Sequence, residues 1–478
     1  MQAMKLSGLE PASVFGYFEK LCSIPHGSFN TKAISDYLVS FAKERNLRYI
    51  QDKYNNVIMF KDASAGYEDH PPVILQGHID MICVKEPDCT IDMKTDPLDV
   101  THDGTYVFAR GTSLGADDGA GVALILAILD DDTLVHPPLE VIFTSDEEPG
   151  LVGVADIDVS MLKGRRMLNL DVLNESFFTA GCSGGARVTL EMPVEKIDCA
   201  KPCVRILLDD FHGGHSGAQI HLNFANAHKC MTALLQQLRQ EMSLNLVSMG
   251  GGTAANAIPP RCEAVISTDG ELTRIQEICD AFVAQIKETY NETEVVASVT
   301  AAEPAAQCCS AASTDKVISL LDTLPTGVIA WSPDFPNVPQ TSLNLSHADT
   351  KEQFFVQFNI RSSINQERDD LRNQLRNIAA EFDCSYNDFG IYSGWPYRKD
   401  SPLRETMTEL HKRHFPKPVS VGILHVGLEC GVLSEKLPGL DCVSTGPNAL
   451  NVHSTQEKME IASMNRFWNF LLDLLKAL

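Results

Sequence analysis

The sequence lacks an apolar run long enough to cross a bilayer. Its longest strongly apolar stretch, residues 122 to 129, is far shorter than the roughly 20 residues that a membrane span needs. The first 20 residues contain no basic segment followed by an apolar run, as a secretory signal would require. These two absences predict a cytoplasmic protein with no membrane partner.

Several short chemical motifs are also missing. The 14 cysteines are scattered and contain no C-x-x-C pair, so neither a zinc ribbon nor a thioredoxin-like site is indicated. In a reducing compartment they are expected to stay unpaired. The chain has no H-E-x-x-H and no phosphate-cradling glycine loop, which argues against a zincin and against an NTPase.

Positive charge is scarce. The chain has 63 acidic and 39 basic residues among 478, for a formal net charge of −24. This balance argues against nucleic acid or an anionic membrane surface as a partner. Solubility alone explains such a charge, whereas clustered carboxylates would indicate sites for divalent cations.

The order of apolar patterns predicts an α/β protein with more than one domain. Strand patterns at 57–60, 72–76, 139–144 and 167–170 alternate with helix patterns at 12–20, 31–46 and 119–129. Alternation of this kind is typical of a mainly parallel, mixed sheet flanked by helices.

The pattern changes beyond residue 186. Strand patterns at 187–192, 203–209 and 340–362 and helix patterns at 225–242 and 271–290 predict a smaller α+β domain. The α/β pattern then resumes, with helices predicted at 402–414 and 461–477. We therefore expect an α/β domain formed by residues 1–186 and 393–478, interrupted by an inserted domain at 187–392.

Polar residues follow several of the predicted strands or precede the buried helix. They are His78 and Asp80, Asp117 and Asp118, Glu147 and Glu148, and Asp171. In open α/β sheets, ligands bind beyond the carboxyl ends of the strands.

Each of these residues alone has a structural explanation: a lone aspartate usually forms a turn or caps a helix, and a glutamate pair is usually solvated. Together, however, so many acids on one rim would repel one another unless cations neutralised them. Histidine and carboxylate ligands suit zinc, and a carboxylate can bridge two metals.

The segment around Ser183 has a different explanation. GCSGG at 181–185 matches the G-x-S-x-G pattern of a serine nucleophile elbow. An elbow needs a helix after the serine, whereas residues 186–192 have a strand pattern. A serine hydrolase is therefore not expected.

The same segments resemble the co-catalytic zinc peptidases of the aminoacylase and carboxypeptidase type, and among them the bacterial aminoacyl-histidine dipeptidases. The resemblance extends over most of the chain. It rests on VILQGHIDM at 73–81, ARGTSLGADDGAGVA at 109–123, PLEVIFTSDEEPGLVGVA at 138–155, GGHSGAQIH at 213–221, GGTAANAIP at 251–259, QTSLNLS at 340–346, IRSS at 360–363, HVGLECG at 425–431 and NVHS at 451–454.

The resemblance implies two Zn²⁺ ions, with Mn²⁺ or Co²⁺ as possible substitutes. His78 and Asp171 would bind one ion, Glu148 and His453 the other, and Asp117 both. Asp80 would orient His78, and Glu147 would be the general base for a zinc-bound hydroxide.

The resemblance implies that residues 1–186 and 393–478 form the catalytic domain. It implies that the inserted domain, residues 187–392, is a lid and dimerisation domain that also carries site residues. His215 would help to bind the oxyanion, often from the partner subunit, so a homodimer is expected. Asn256 and Arg361 would hold the C-terminal carboxylate of the substrate, and a guanidinium suits this because it can make two hydrogen bonds to a carboxylate. A turn asparagine and a surface arginine are the simpler alternatives.

The expected activity is hydrolysis of dipeptides such as Xaa-His or β-Ala-His. A tripeptide aminopeptidase, a carboxypeptidase or an N-acyl amino acid deacylase could use the same scaffold. A non-catalytic metal- or peptide-binding homologue would be expected to have lost Glu147 or a ligand, and neither is lost. The chain departs from the family pattern at Asp118, at residues 172–174 and at residues 455–457, which leaves the preferred dipeptide open.

Overall fold

The helices and strands follow the apolar periodicity of the sequence closely. A computed structural model of the chain describes residues 5–252 and 254–478. Residues 1–4, at the start of the segment in which no signal was expected, and Thr253 of the GGTAANAIP segment lie outside the described residues. None of the helices in the described part of the chain is long and apolar enough to span a membrane.

The described residues form the following elements. The helices are α1 (Ala12–Cys22), α2 (Lys32–Glu44), α3 (Ala116–Asp130), α4 (Val152–Ala155), α5 (Ala227–Glu241), α6 (Leu272–Thr289), α7 (Ala311–Thr323), α8 (Asn365–Glu381), α9 (Pro402–His414), α10 (Glu429–Lys436) and α11 (Ile461–Ala477). The strands are β1 (Arg48–Gln51), β2 (Val57–Lys61), β3 (Val73–His78), β4 (Val100–His102), β5 (Tyr106–Ala109), β6 (Leu139–Thr144), β7 (Arg166–Asn169), β8 (Phe177–Cys182), β9 (Gly184–Pro193), β10 (Lys196–Asp198), β11 (Cys203–Asp209), β12 (Leu244–Gly251), β13 (Cys262–Thr268), β14 (Val296–Ala301), β15 (Gln307–Cys309), β16 (Gly327–Trp331), β17 (Pro339–Thr350), β18 (Gln353–Ser362), β19 (Ser385–Tyr392), β20 (Ser420–Leu424), β21 (Asp441–Ser444), β22 (Ala449–Leu450) and β23 (Lys458–Glu460).

The chain divides into two compact units. Unit 1 contains the described residues up to Cys182 together with Trp395–Ile423 and Leu428–Leu478. Unit 2 contains the described residues of Ser183–Gly394 together with Leu424–Gly427.

Unit 1 is built on an eight-stranded mixed sheet. Its strand order is β1-β2-β6-β3-β7-β21-β8-β20. The four neighbouring strands β6, β3, β7 and β21 run parallel, whereas β1, β2 and β8 pair antiparallel. A small second sheet has the order β22-β23-β5-β4. The expected α/β class with a mixed sheet is confirmed.

The core of unit 1 explains why α3 is apolar on every side. All residues from Gly119 to Leu129 are buried, because α3 packs against both β3 and α1. A helix buried all round needs no polar face, so it lacks the periodic pattern of a surface helix. The closing helix α11 completes the same core with Phe467, Phe470 and Leu474.

Unit 2 has a nine-stranded antiparallel sheet and its own core. Eight strands have the order β14-β11-β13-β12-β17-β18-β9-β19, and β16 pairs with β17. Helices α5, α6, α7 and α8 contribute Leu234, Phe282, Leu321 and Leu375 to this core. The predicted α+β character agrees with this, but two of the helices, α7 and α8, were not predicted.

Candidate metal centre

The first candidate residues come together in unit 1 because three parallel strands end at the same edge of the sheet. Strand β3 ends at His78, Glu148 follows β6, and Asp171 follows β7. Because β3 pairs in parallel with both β6 and β7, their carboxyl ends are adjacent. Asp117 reaches the same edge from the first turn of α3, where its backbone dihedral angles are non-helical.

Asp117 lies between two histidines. Its Oδ1 is 3.1 Å from Nε2 of His78, and its Oδ2 is 3.2 Å from Nε2 of His453. His78 Nε2 also lies 3.5 Å from Asp171, and His453 Nε2 lies 2.9 Å from Glu148. The structure therefore brings all five predicted ligands together, with Asp117 shared between two histidine–carboxylate pairs.

The charge of this cluster suits cations. Hydrogen bonds to Asp117 and Glu148 raise the pKa of His453 to about 10. Burial opposes protonation of His78, but hydrogen bonds to Asp117 and Asp171 raise its pKa well above the ordinary value. Asp171 Oδ2 is buried without a hydrogen-bond partner among the described residues. The carboxylates thus require positive charge, and ligand atoms of His78, Asp117 and Glu148 lie within 4.8 Å of one another, close enough to share a metal ion. The residues fit the divalent cations that the sequence predicts.

Asp80 connects the histidine of this cluster to the loop that follows β6. The Nδ1 of His78 is 3.0 Å from the backbone carbonyl of Asp80 and 3.4 Å from its carboxylate. The same carboxylate accepts hydrogen bonds from the backbone N–H groups of Glu147 and Glu148, and from the hydroxyl of Ser28. Asp80 is therefore placed to orient both His78 and the glutamate pair, as an outer carboxylate does in many metal sites.

Glu147 has the environment of a proton acceptor. Burial raises its pKa well above the ordinary value, with His78 opposing and the charges of Asp171, Glu429 and Glu148 adding to the rise. No hydrogen bond holds its carboxylate among those that the structure shows in the described residues. A carboxylate with a raised pKa can both take and return a proton.

Glu457 supports the cluster and was not predicted to act there. Its carboxylate accepts hydrogen bonds from the backbone N–H groups of Leu114, Gly115, Ala116 and Asp117, at 2.7 to 3.4 Å. These donors lie at the start of α3 and in the two residues before it, where the backbone N–H groups have no partner within the helix. Glu457 thereby fixes the segment that carries Asp117. In the sequence, Glu457 was noted only within the departure from the family pattern at residues 455–457, four residues after His453.

Glu429 is a second residue that the sequence did not single out. It is fully buried, and it accepts hydrogen bonds from Gln76 at 2.6 Å and from Thr144 at 2.5 Å. These partners lie at the ends of β3 and β6, next to the ligand-bearing segments. Burial is the main cause that raises the pKa of Glu429 to about 8. Its place in the HVGLECG segment gave no indication of this role.

The remaining predicted site residues belong to unit 2. Nδ1 of His215 accepts hydrogen bonds from the backbone N–H groups of Gly217 and Ala218, which leaves its Nε2 available as a donor. The exposed Asn256 is adjacent, since its carbonyl accepts from the N–H of Ser216 at 2.8 Å.

Arg361 lies on β18 and is buried, and its Nε has no hydrogen-bond partner among the described residues. Burial lowers the pKa of His215, and the charge of Arg361 lowers it further. The same positive charge acts on His425, whose Nε2 is 2.7 Å from the Ser342 hydroxyl. Unit 2 thus places His215, Arg361 and His425 in one electrostatic environment. The roles of His215, Asn256 and Arg361 stay predictions.

Ser183 is not part of a nucleophile elbow. It lies between the strands β8 and β9, with no helix after it, and its side chain is buried. The structure therefore confirms that the G-x-S-x-G match does not mark a serine nucleophile.

Comparison with known proteins agrees with this geometry. The model of peptidase family M20/M25/M40 matches residues 74–477. The chain belongs to this family. Its relatives include the cytosol non-specific dipeptidase of Escherichia coli K12, which is 34% identical over 480 residues and is aligned over 99% of both chains.

Solved structures give the same result. The crystal structure of the aminoacylhistidine dipeptidase from Vibrio alginolyticus matches with a TM-score of 0.92 and 32% identity, over 99% of this chain and 98% of that one. The aminopeptidase PepT from Bacillus cereus matches with a TM-score of 0.56 and 13% identity, over 98% of both chains. At that identity the second match shows the family fold alone.

Proposed function

We propose that this member of the M20/M25/M40 family is a two-metal dipeptidase, with Zn²⁺ as its metal and Mn²⁺ or Co²⁺ as substitutes. The position of Asp117 carries the proposal, since its two carboxylate oxygens each face a different histidine. A bridging carboxylate between two ligand pairs is the arrangement of a two-metal site. His78 and Asp171 would hold one ion, and Glu148 and His453 the other.

The protein's own residues have distinct tasks in this proposal. Bound divalent cations would lower the pKa of water and polarise the substrate carbonyl. Glu147 accepts the proton released by the attacking water and returns it to the leaving amine, because no ligand role occupies its carboxylate. Asp80 holds Glu147 and His78 in fixed positions relative to each other through its hydrogen bonds to both segments.

The names of the relatives support dipeptides as the substrate class. One relative is named a cytosol non-specific dipeptidase and the other an aminoacylhistidine dipeptidase. We therefore place Xaa-His and β-Ala-His among the substrates, within a range that extends to other short peptides. In unit 2, His215 is the proposed oxyanion donor, and Asn256 and Arg361 are the proposed partners of the substrate carboxylate.

The same proposal includes three further assignments. Residues 187–392 form a lid and dimerisation domain, the protein is a homodimer, and its location is the cytoplasm. The name of the Escherichia coli relative, a cytosol dipeptidase, supports the location. Light scattering of the purified chain tests the dimer, because the molar mass should be twice that of one chain.

The decisive experiment measures hydrolysis of a panel of dipeptides, including β-Ala-His, before chelation, after chelation and after zinc is restored. We expect activity that chelation removes and zinc restores. In Glu147→Gln, kcat should fall about 10²- to 10⁴-fold because the proton acceptor is lost, while zinc content stays at the wild-type value. Glu44→Gln, at an exposed glutamate of α2, is the matched control and should retain full activity.

A zinc-loaded wild type that cleaves no dipeptide would contradict the proposal. N-acylated amino acids and longer peptides would then be the next substrates to assay. Full activity in Glu147→Gln would instead leave the dipeptidase assignment intact and remove the proposed role of Glu147.

A further inference from the structure

Unit 2 contains a cluster of three cysteines that the proposed activity does not use. We call Cys199, Cys203 and Cys308 the thiol cluster. The Sγ atoms of Cys199 and Cys203 are 3.7 Å apart. Cys308 makes a side-chain hydrogen bond with Cys199 as well. It lies on β15, which pairs antiparallel with β10 and places Cys308 opposite Ile197, two residues before Cys199. Three sulfur-bearing side chains thus meet where β10 ends and β11 begins.

The thiol cluster is reachable from solvent through one member. Cys199 is partly exposed, whereas Cys203 and Cys308 are buried. A second interacting pair, Cys430 and Cys442, provides a contrast, because both of its members are buried in unit 1. Only a thiol that an oxidant can reach reacts readily, so the two pairs should differ sharply in behaviour.

The surroundings of Cys199 also favour its thiolate. Burial opposes ionisation, but hydrogen bonds from Ser267, Cys203 and Cys308 lower the pKa of Cys199 below its ordinary value. Burial raises the pKa of Cys203. The thiolate is the reactive form of cysteine, so the more accessible member of the pair is also the one that ionises more readily.

We propose that Cys199 and Cys203 are an oxidation site that forms a reversible intramolecular disulfide when the protein meets a peroxide. The Cys199 thiolate attacks the peroxide O–O bond, which gives a sulfenic acid and releases water or an alcohol. The Cys203 thiol then attacks the sulfenic sulfur, the S–S bond forms and a second water leaves. The two thiols lose two electrons in total, and the peroxide gains them.

The bond would close a small loop between two sheets of unit 2. Residues 200–202 separate the two cysteines, β10 pairs with β15, and β11 lies between β14 and β13 of the large sheet. Oxidation would tie the end of the small two-stranded sheet to the start of β11. Reduction by a thiol would release it.

Peptide mapping tests this site directly. Trypsin cuts poorly before proline, so Lys201-Pro202 stays intact and residues 197–205 form one peptide that contains both cysteines. The native full-length chain is treated with limiting hydrogen peroxide, alkylated, denatured and digested. We expect peptide 197–205 to carry no alkyl group and to have lost two hydrogen atoms, and dithiothreitol should restore both alkylation sites.

Variants identify the reacting pair. In Cys203→Ser/Cys308→Ser, which removes both thiols that contact Cys199, peroxide should leave a sulfenic acid at Cys199 that dimedone traps. Cys308→Ser and Cys430→Ser should both retain the disulfide. The exposed Cys83 of unit 1 reports that peroxide was active, because an oxidant can reach its thiol from solvent.

Three results would overturn the proposal. The first is full alkylation of Cys199 and Cys203 at a peroxide dose that oxidises Cys83. The second is a disulfide that joins Cys199 to Cys308 in place of Cys203. The third is a link that forms only in denatured protein, because the folded structure is what brings the two sulfurs together.

Discussion

At the scale of single residues, Glu457 supports the candidate metal centre without being one of its proposed ligands. Its carboxylate collects four backbone donors, and the last of them belongs to Asp117. Replacement of Glu457 by glutamine turns one acceptor oxygen into an amide NH₂ that faces these N–H groups. The segment that holds Asp117 would then lose its fixed position.

We expect Glu457→Gln to weaken zinc binding by about 10- to 100-fold, the usual effect of losing a group that supports a ligand. Competition with a chromophoric chelator measures this affinity without an activity assay. The neighbouring Gln456→Ala is the control, because the Gln456 side chain is exposed. Equal affinity in Glu457→Gln and wild type would show that Asp117 is held by other contacts.

At the scale of elements, α3 must approach the sheet very closely. A Cβ added at Gly121 would lie 2.7 Å from Cβ of Leu170 and would also collide with the carboxylate of Asp118. Two residues earlier, a Cβ at Gly119 would meet only the edge of the Phe18 ring, at 3.3 Å. The two glycines therefore lie in the same helix, but only Gly121 lacks room for a Cβ atom.

Gly121→Ala should lower the free energy of unfolding by about 1–3 kcal/mol, as overpacking of a close contact does. Gly119→Ala should be nearly neutral, because the Phe18 ring can yield and alanine gains helix propensity over glycine. Urea unfolding of both variants checks the difference. Equal midpoints for the two would mean that α3 can shift away from β7.

The same scale shows how far the sequence alone could go. Periodicity predicted α1, α3, α9 and α11 within a few residues, because each carries a marked apolar face or run. It missed α8, although Leu371, Leu375, Ile378 and Ala379 recur at helical spacing on its buried face. Polar residues predominate in α8 and in α9 alike, so polarity does not explain why only α9 was predicted.

The candidate site divides in the same way. His78, Glu148 and Asp171 follow buried parallel strands, so strand ends were enough to place them on one edge. His453 lies in a loop with a positive φ of 61°, between the short strands β22 and β23. No local pattern connects it to the sheet edge, and only the family resemblance selected it. Glu457 and Glu429 act through tertiary hydrogen bonds, which have no signature in the sequence.

At the scale of the whole molecule, stability against acid should depend on buried neutral histidines as well as on the net charge. Burial lowers the pKa of His228 to about 3, with the nearby His347 acting in the same direction. Burial and the charge of Arg361 lower the pKa of His425 to about 3 as well. Between their ordinary pKa of 6.5 and about 3, the unfolded chain binds protons that the folded chain does not. The free energy of unfolding must therefore fall as the pH falls through this window.

The prediction for His228 is quantitative. Because the buried imidazole of His228 stays neutral, the free energy of unfolding should be about 2 kcal/mol lower at about pH 5 than at about pH 7.5. The decrease is about 1.36 kcal/mol for each pH unit below roughly 6.5. His228→Leu places an apolar side chain of similar size at this buried position of unit 2 and removes the titrating group. Urea unfolding of wild type and variant at both pH values measures the difference, and the variant should lose about 2 kcal/mol less on acidification. The values at about pH 7.5 serve as the control for packing, since both side chains are neutral there. An identical loss in both proteins would show that His228 takes up its proton without unfolding.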